Sequence, residues 1–449
     1  MACECVEPGY VASGEKITLI LTIEVGIAIL VALAIFCTKP EYGLFLYGFA
    51  LGFPDVALAL GDAINIRLDD LLLLLFLLRA MVWIPARLAP QQRKIFVGQT
   101  IFFFACLLSV AVESVLGKPS APYETAKMIG CAAIALILPR LVESERRLRF
   151  LIAGLMAGGF ALVIQVFQRV GAGSLTGLAN FQEFKSAATF TTWNPNTIGQ
   201  ASMLLVFSAG VGAIVFSKSH NFGWIWACLG TGFALLPLFV FVRGTSISIA
   251  AAFVLFLCLT RRWTWLLLFA GACFAVLLYL HSVDRALLEG ATRVDVTSGE
   301  GFSHRFERWQ AAGEAIRSQP ILGQGFGQEW NYLSEVGSGG RAHNAYLSVW
   351  VELGVGGIAL FLAMIYQFYS VGLSLFRNPQ TTGWGALVLA LILAACIDSL
   401  GLPTLYWEKL PIIALSIATA VAGICERDQS ELSTDEIGPP QMEPLSQHI

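Results

Sequence analysis

Two short runs, Ser303-His304-Arg305-Phe306-Glu307-Arg308-Trp309 and Gly339-Gly340-Arg341-Ala342-His343-Asn344-Ala345-Tyr346-Leu347, belong to the interval Ser282–Leu347, the longest in this chain without a membrane-length apolar run. The interval carries six arginines, two histidines and two tryptophans. Most of what lies on either side reads as lipid-embedded helix. The chain thus divides into an apolar bundle and one extramembrane segment that gathers the polar chemistry.

Composition supports that division. Hydrophobic residues make up 56% and charged residues 13%, where soluble domains carry about 25% charged residues. Mean hydropathy is +0.71. The expected fold is all-α, a single polytopic membrane bundle. A net charge of −3 provides no basic surface for nucleic acid. Met1 to Lys16 is polar and acidic and lacks the basic start of a cleaved signal peptide, so targeting falls to the membrane segments. Eight of the ten cysteines sit in or at the ends of apolar runs, where Cys behaves as a small hydrophobe.

A spanning helix needs ~20 mostly apolar residues. Candidate segments lie near 17–37, 43–60, 66–84, 95–115, 123–141, 149–170, 197–217, 223–242, 246–260, 264–281, 344–370, 383–400 and 404–424, which makes twelve to thirteen. Segments 43–60 and 246–260 are short, and Pro54 interrupts the first. The clusters Arg87/Arg93/Lys94, Arg146/Arg147/Arg149, Lys218, Arg261/Arg262 and Arg377 then fall on one side, the inner one by the excess of Lys and Arg. Loop 282–343 lies on the outer side. The expected organisation is one bundle over 1–425 and a disordered inner tail over 426–449.

Charge inside a bilayer is costly, so the exceptions matter. Asp69 and Asp70 fit an interfacial helix start, while Glu24 and Asp398 are deeper and pair with another helix or line a polar cavity. Arg243, at the end of the apolar run Phe233–Val242, is either a snorkelling interfacial side chain or a fixed cation at the outer mouth of the bundle. Asn194-Pro195-Asn196 is either a helix start or a ligand contact.

In the outer loop, Phe306, Trp309, Ala312 and Ile316 share one face at helical spacing. Pro320 and Gly323-Gln324-Gly325-Phe326-Gly327 end that helix. Arg305 and Arg308 near its start make either a pyrophosphate cradle or the solvated face of a helix lying on the membrane. His343, neutral at its ordinary pKa, suits proton abstraction from a hydroxyl; a structural histidine at a helix start is the plainer reading. Asn344 fits a helix cap. No H-E-x-x-H, G-x-S-x-G, Walker or GxGxxG motif occurs. Neither metal nor cofactor is implied.

Taken in order, Arg305-x-x-x-Trp309, Pro320, Gly323-x-Gly325, His343-Asn344-x-Tyr346-Leu347 and Glu352-Leu353-Gly354-x-x-Gly357 resemble the shared C-terminal region of the O-antigen ligase and O-antigen polymerase family. Arg243-Gly244 looks like that family's Ser-Arg-Gly turn with Val242 in place of Ser. Asn194-Pro195-Asn196 looks like its Pro-Asn helix start, and Arg67-Leu68-Asp69-Asp70-Leu71-Leu72 like its early Leu-x-Asp-Leu-Leu segment. The resemblance implies a GT-C-like bundle in the bacterial inner membrane that works without cofactor at its periplasmic face. The donor it implies is a glycan on undecaprenyl diphosphate. The acceptor is a hydroxyl of another glycan, of lipid A-core or of protein. His343 would be the base, with Arg305 and Arg243 on the diphosphate. Arg308, Arg341, Asn344, Trp309 and Asn196 would contact substrate. The competing class is a transporter, such as a flippase for the same lipid-linked glycans. It would use Glu24, Asp398 and Arg243 but would not need Arg305 and His343 on one long outer loop.

Overall fold

The computed structural model describes residues 39–52, 57–60, 64–67, 72–75, 88–116, 122–171, 195–217, 223–239, 242–283, 300–335, 340–402 and 408–436. Expected segment 17–37, most of 66–84, and the charges Glu24, Asp69 and Asp70 lie outside them.

The helices of the bundle are α1 (Pro40–Gly52), α2 (Pro90–Val115), α3 (Pro122–Leu141), α4 (Glu145–Gly171), α5 (Pro195–Ser217), α6 (Gly223–Phe239), α7 (Arg243–Leu259), α8 (Trp263–Val283), α11 (Ala345–Arg377), α12 (Thr382–Asp398) and α13 (Lys409–Glu436). Between α8 and α11 lie α9 (Glu300–Ser318) and the short α10 (Glu329–Glu335). Five stretches are long and apolar enough to cross a membrane: Pro90–Val115, Glu145–Val166, Asn196–Phe216, Ala345–Arg377 and Lys409–Ser430. Trp224–Pro237, Gly244–Leu259 and Thr382–Asp398 are shorter apolar helices. The chain is a multi-pass, all-α membrane bundle. Four helices begin on proline, whose fixed φ suits the first helical position and whose missing N–H costs nothing there.

α13 is the spine. Leu410 to Cys425 is buried throughout, and the helix packs against α2, α3 and α5. α1 and α4 approach closely because Gly48 and Gly52 meet Gly154 and Gly158, each pair four apart. A methyl group on Gly48 would lie 2.6 Å from the Leu151 carbonyl oxygen. Without a hydrophobic drive between helices in lipid, such small-residue seams supply the packing.

Two expectations are corrected. Segment 43–60 does not span: α1 ends at Gly52, and Ala57–Leu60 pairs antiparallel with Ile64–Arg67 as a small hairpin, Ala57 opposite Arg67. Pro54 cannot donate to a helix and disfavours helix in the residue before it. The tail is also not irregular from residue 426, because α13 continues to Glu436. The start of its extension is held at one end of the bundle: Gln91 N–H donates to Glu426 Oε2 at 2.9 Å, and Arg427 donates to the Glu143 carbonyl at 2.7 Å.

Those contacts also gather the basic loops. Arg147 pairs with Glu143, Arg149 reaches the Val215 carbonyl, and Gln91 meets Ser374. The loops before α2, between α3 and α4, after α5 and near the end of α11 therefore share one end. At the opposite end Arg341 pairs with Glu124, Lys127 with Glu408, and the Phe326 N–H donates to Ser109.

Candidate functional site

The framework of the site is a broken helix. α11 is interrupted at Gly354, whose backbone (φ 67°, ψ −164°) lies outside the helical region. The break frees the Val351 and Glu352 carbonyls, and the glycine loop that follows α9 answers them. Gln324 N–H donates to Val351 O at 2.7 Å and Gly325 N–H to Glu352 O at 3.0 Å, while Val355 N–H donates to Pro320 O at 2.9 Å. The approach admits no side chain: a methyl on Gly323 would lie 2.5 Å from Glu352 O, and one on Gly354 would strike Ile321 O. Gly323–Gly327 is thus a clamp between loop and helix.

The clamp seats α9 against the start of α11. Trp309, Ala311, Ala312, Ala315 and Ile316 pack with Leu333, Ala342 and Val351. Phe306, expected on the same face, is instead 63% exposed. Trp309 Nε1–H donates to the Ala342 carbonyl at 2.9 Å. On the other side of the same residue, Ala342 N–H donates to Glu329 Oε1 at 3.0 Å, and the Ser348 hydroxyl donates to that oxygen at 2.7 Å. Asn344 caps α11, its Oδ1 accepting from Tyr346 N–H and Leu347 N–H at 3.0 and 3.1 Å. Ala345 N–H donates to Ser399 O at 2.8 Å, and Tyr346 Oη–H to Cys396 O at 3.2 Å, which fixes the turn to the end of α12.

Held between these anchors, His343 takes a left-handed backbone (φ 52°), a conformation that costs a non-glycine residue of order 1–3 kcal/mol and persists where its surroundings impose it. Burial, then the guanidinium groups of Arg308, Arg305 and Arg341, push the imidazole pKa from 6.5 down to about 4. His343 is a neutral base beside three cations.

The arginines differ. Arg305 is exposed on α9, with Nη1 3.6 Å from where a methyl on Gly401 would sit. Arg308 lies against Gly340, and its Nε is enclosed without a hydrogen-bond partner. Arg341 is largely buried and bonded to Glu124 at 3.1 Å. Arg341, Asn344 and Trp309, expected as substrate contacts, direct polar atoms to Glu124, to the first turn of α11 and to the Ala342 carbonyl.

A second set of helix ends meets the first. α7 begins at Arg243 and α5 at Pro195, with Asn196 exposed. Gly199 on α5 abuts Val242 and Thr245 at the start of α7. Thr245 Oγ1 donates to Asp398 Oδ1 at 2.7 Å. Arg243 and Asn196, in the first turns of α7 and α5, therefore fall at the same end of the bundle as the His343 turn, with Arg305 of α9 beside Gly401 just after α12. Sequence reasoning missed Glu124, Glu329, Ser348 and Thr245. Glu352, nine positions after His343 in a Glu-Leu-Gly run, carried the clearest signal.

Residues 227–362 match the O-antigen ligase family model, the region that carries most of the motifs above. No curated protein matches the chain. The match covers under a third of the chain and takes in α7, α8, the α9–α10 segment and the first half of α11, so the similarity to O-antigen ligases is one of this region.

Proposed function

We propose that this protein is a membrane glycosyltransferase that moves a glycan from undecaprenyl diphosphate to an acceptor hydroxyl at the periplasmic face of the bacterial inner membrane. The observation that carries the reading is His343, neutral and strained, ringed by Arg305, Arg308 and Arg341.

In this mechanism Arg305 and Arg308, with Arg243 at the start of α7, bind the diphosphate. They stabilise the charge that grows on it as the glycosidic bond breaks, and preorganised cations of this kind are often the largest catalytic contribution. His343 takes the proton from the acceptor hydroxyl, whose oxygen attacks the anomeric carbon opposite the leaving group, so the configuration inverts. The diphosphate leaves as its anion. Guanidinium groups supply the positive charge, so the step needs no metal ion. Asn196 lies where it can contact the glycan. Residues 1–425 act as one unit, with loop 282–343 on the periplasmic side, because the basic loops gather at the other end. The product is a surface polysaccharide, by ligation or by polymerisation.

The test is transfer from a lipid-linked glycan by purified protein in detergent, where vectorial transport is impossible. Wild type should turn over. Arg305→Ala and His343→Ala should not, while both accumulate normally in membranes. Wild-type turnover by either variant would remove that residue from the mechanism. Absence of turnover by wild type, with transport in vesicles, would favour a flippase.

A further inference from the structure

Beneath the His343 turn lie two carboxyl groups that the mechanism does not use, Glu329 on α10 and Glu352 on α11, both at 0% exposure. Their hydrogen bonds do not balance. Glu329 Oε1 accepts from Ala342 N–H and from Ser348 Oγ–H, yet Oε2 is enclosed with no partner among the described residues. Both Glu352 oxygens are enclosed as well. The Gly327 N–H reaches toward that carboxyl without completing a hydrogen bond to either oxygen. Glu352 follows Ser348 by one helical turn, so it projects from the same face of α11 as the hydroxyl that Glu329 holds.

Buried polar atoms are almost always paired, and an orphan costs about 1–3 kcal/mol. A single hydrogen between the two carboxyl groups, which act on each other electrostatically, gives Glu329 Oε2 and one Glu352 oxygen each a partner. The neighbouring charges agree. Arg341 bears on both carboxyls, but it is paired with Glu124, which also bears on Glu352. Glu113 on α2 lies against Gly325 in the clamp. With Glu329, Glu352 and Glu124 all ionised, one guanidinium would face three carboxylates in a buried site.

We propose that Glu329 and Glu352 hold a single proton between them, Glu329 Oε2–H donating to Glu352, and that this acid–carboxylate pair makes Glu329 the positioning residue for His343. The arrangement leaves Glu329 Oε1 free for both of its bonds, and so it fixes Ala342 from the side opposite Trp309. Burial pushes the Glu329 carboxyl above the usual carboxylate range, and the bonds from Ala342 and Ser348 and the charge of Arg341 pull part of the way back. Loss of the proton places two like charges together and loosens the turn. The inference rests on His343 being the base of the proposed transfer.

Glu329→Gln decides it. The carboxamide reproduces the protonated acid: its oxygen accepts from Ala342 and Ser348, and its N–H donates to Glu352. Wild type should decline in activity on the alkaline side as the shared proton is lost, and Glu329→Gln should keep near wild-type kcat without that decline. Glu329→Ala should lower kcat roughly 100-fold, the scale of a misplaced catalytic group, with the donor KM unchanged. An infrared difference spectrum at neutral pH, wild type minus Glu329→Gln, should contain a protonated-carboxyl C=O band. If the band is missing, or if Glu329→Gln is as impaired as Glu329→Ala, the shared proton is wrong. Should Glu329→Ala not accumulate, the glutamine variant and the spectrum carry the test. The band does not depend on turnover, so transfer by His343→Ala would overturn the proposed function and leave the carboxyl pair standing.

Discussion

Thr245 donates its hydroxyl hydrogen to an Asp398 carboxylate oxygen at 2.7 Å across 153 positions of sequence, joining the first turn of α7 to the last turn of α12. Both residues are buried. The bond holds the start of the Arg243 helix beside the His343 turn, because the next residue after Asp398, Ser399, accepts from Ala345 N–H.

Thr245→Val should therefore destabilise the protein by about 1–3 kcal/mol, the range for removing one partner of a buried hydrogen bond. Thermal unfolding in detergent measures this. Transfer should fall at temperatures where the protein is still folded, because the two halves of the site lose their common fastening. Thr245→Ser, which keeps the hydroxyl, should restore both.

Arg341 and Glu124 are each about four-fifths buried or more. Removing one leaves the other charge poorly solvated, and the loss of stability should be roughly 1–3 kcal/mol, between exposed and fully buried pairs. Arg341→Ala and Glu124→Ala should impair transfer similarly and should not be additive when combined. A double-mutant cycle on melting temperature and kcat tests the coupling. Additive losses would separate Arg341 from Glu124 and return it to substrate binding.

Gly354→Ala and Gly323→Ala meet two penalties: a left-handed backbone at both positions (φ 67° and 73°) and a carbonyl oxygen in the space of the new methyl. Backbone strain alone costs about 1–3 kcal/mol. Both variants should accumulate poorly in membranes. Limited proteolysis should open the 320–327 loop first, since the clamp is what holds it. Gly356→Ala serves as control, because a methyl there meets nothing within 4 Å.

The acid limb of the pH profile should lie unusually low. The kcat/KM limb reports the free enzyme, where His343 titrates at about 4. The limb should thus fall near pH 4 and not near 6.5. The diphosphate brings negative charge against the same arginines, so the kcat limb, which reports the bound state, should lie higher. Stability follows the sign of the depressed pKa: the His343 contribution is present above pH 6.5 and is lost as pH falls toward 4. Melting temperature across that window, compared with His343→Gln, isolates it.

Much of the architecture was legible in the sequence. The apolar runs marked most of the helices, since a bilayer demands long uncharged segments and tolerates few exceptions. Charge counts grouped the basic loops on one side, and among the described residues the start of α2, the turn between α3 and α4, the end of α5 and the late part of α11 do meet. Arg305, His343 and Arg243 stood out as candidates because cations and a histidine beside a membrane helix are rare enough to need a reason. The sequence could not tell Arg305 from Arg341. Both are arginines in one polar loop, yet one is exposed and the other is bonded to Glu124 on a helix more than two hundred positions earlier. It also read the glycines after Pro320 as the end of a helix, without the broken α11 they clamp.

From the sequence alone came the class of molecule, the order of its helices and the chemical identity of the candidate groups, because hydropathy and residue type are local properties. The tertiary structure decided which groups are spent on scaffold and which face outward. It decided the left-handed turn at His343, and it buried Glu329 beside Glu352. Those outcomes depend on carbonyls, carboxylates and N–H groups brought together from distant positions, and no local pattern records which partner satisfies which.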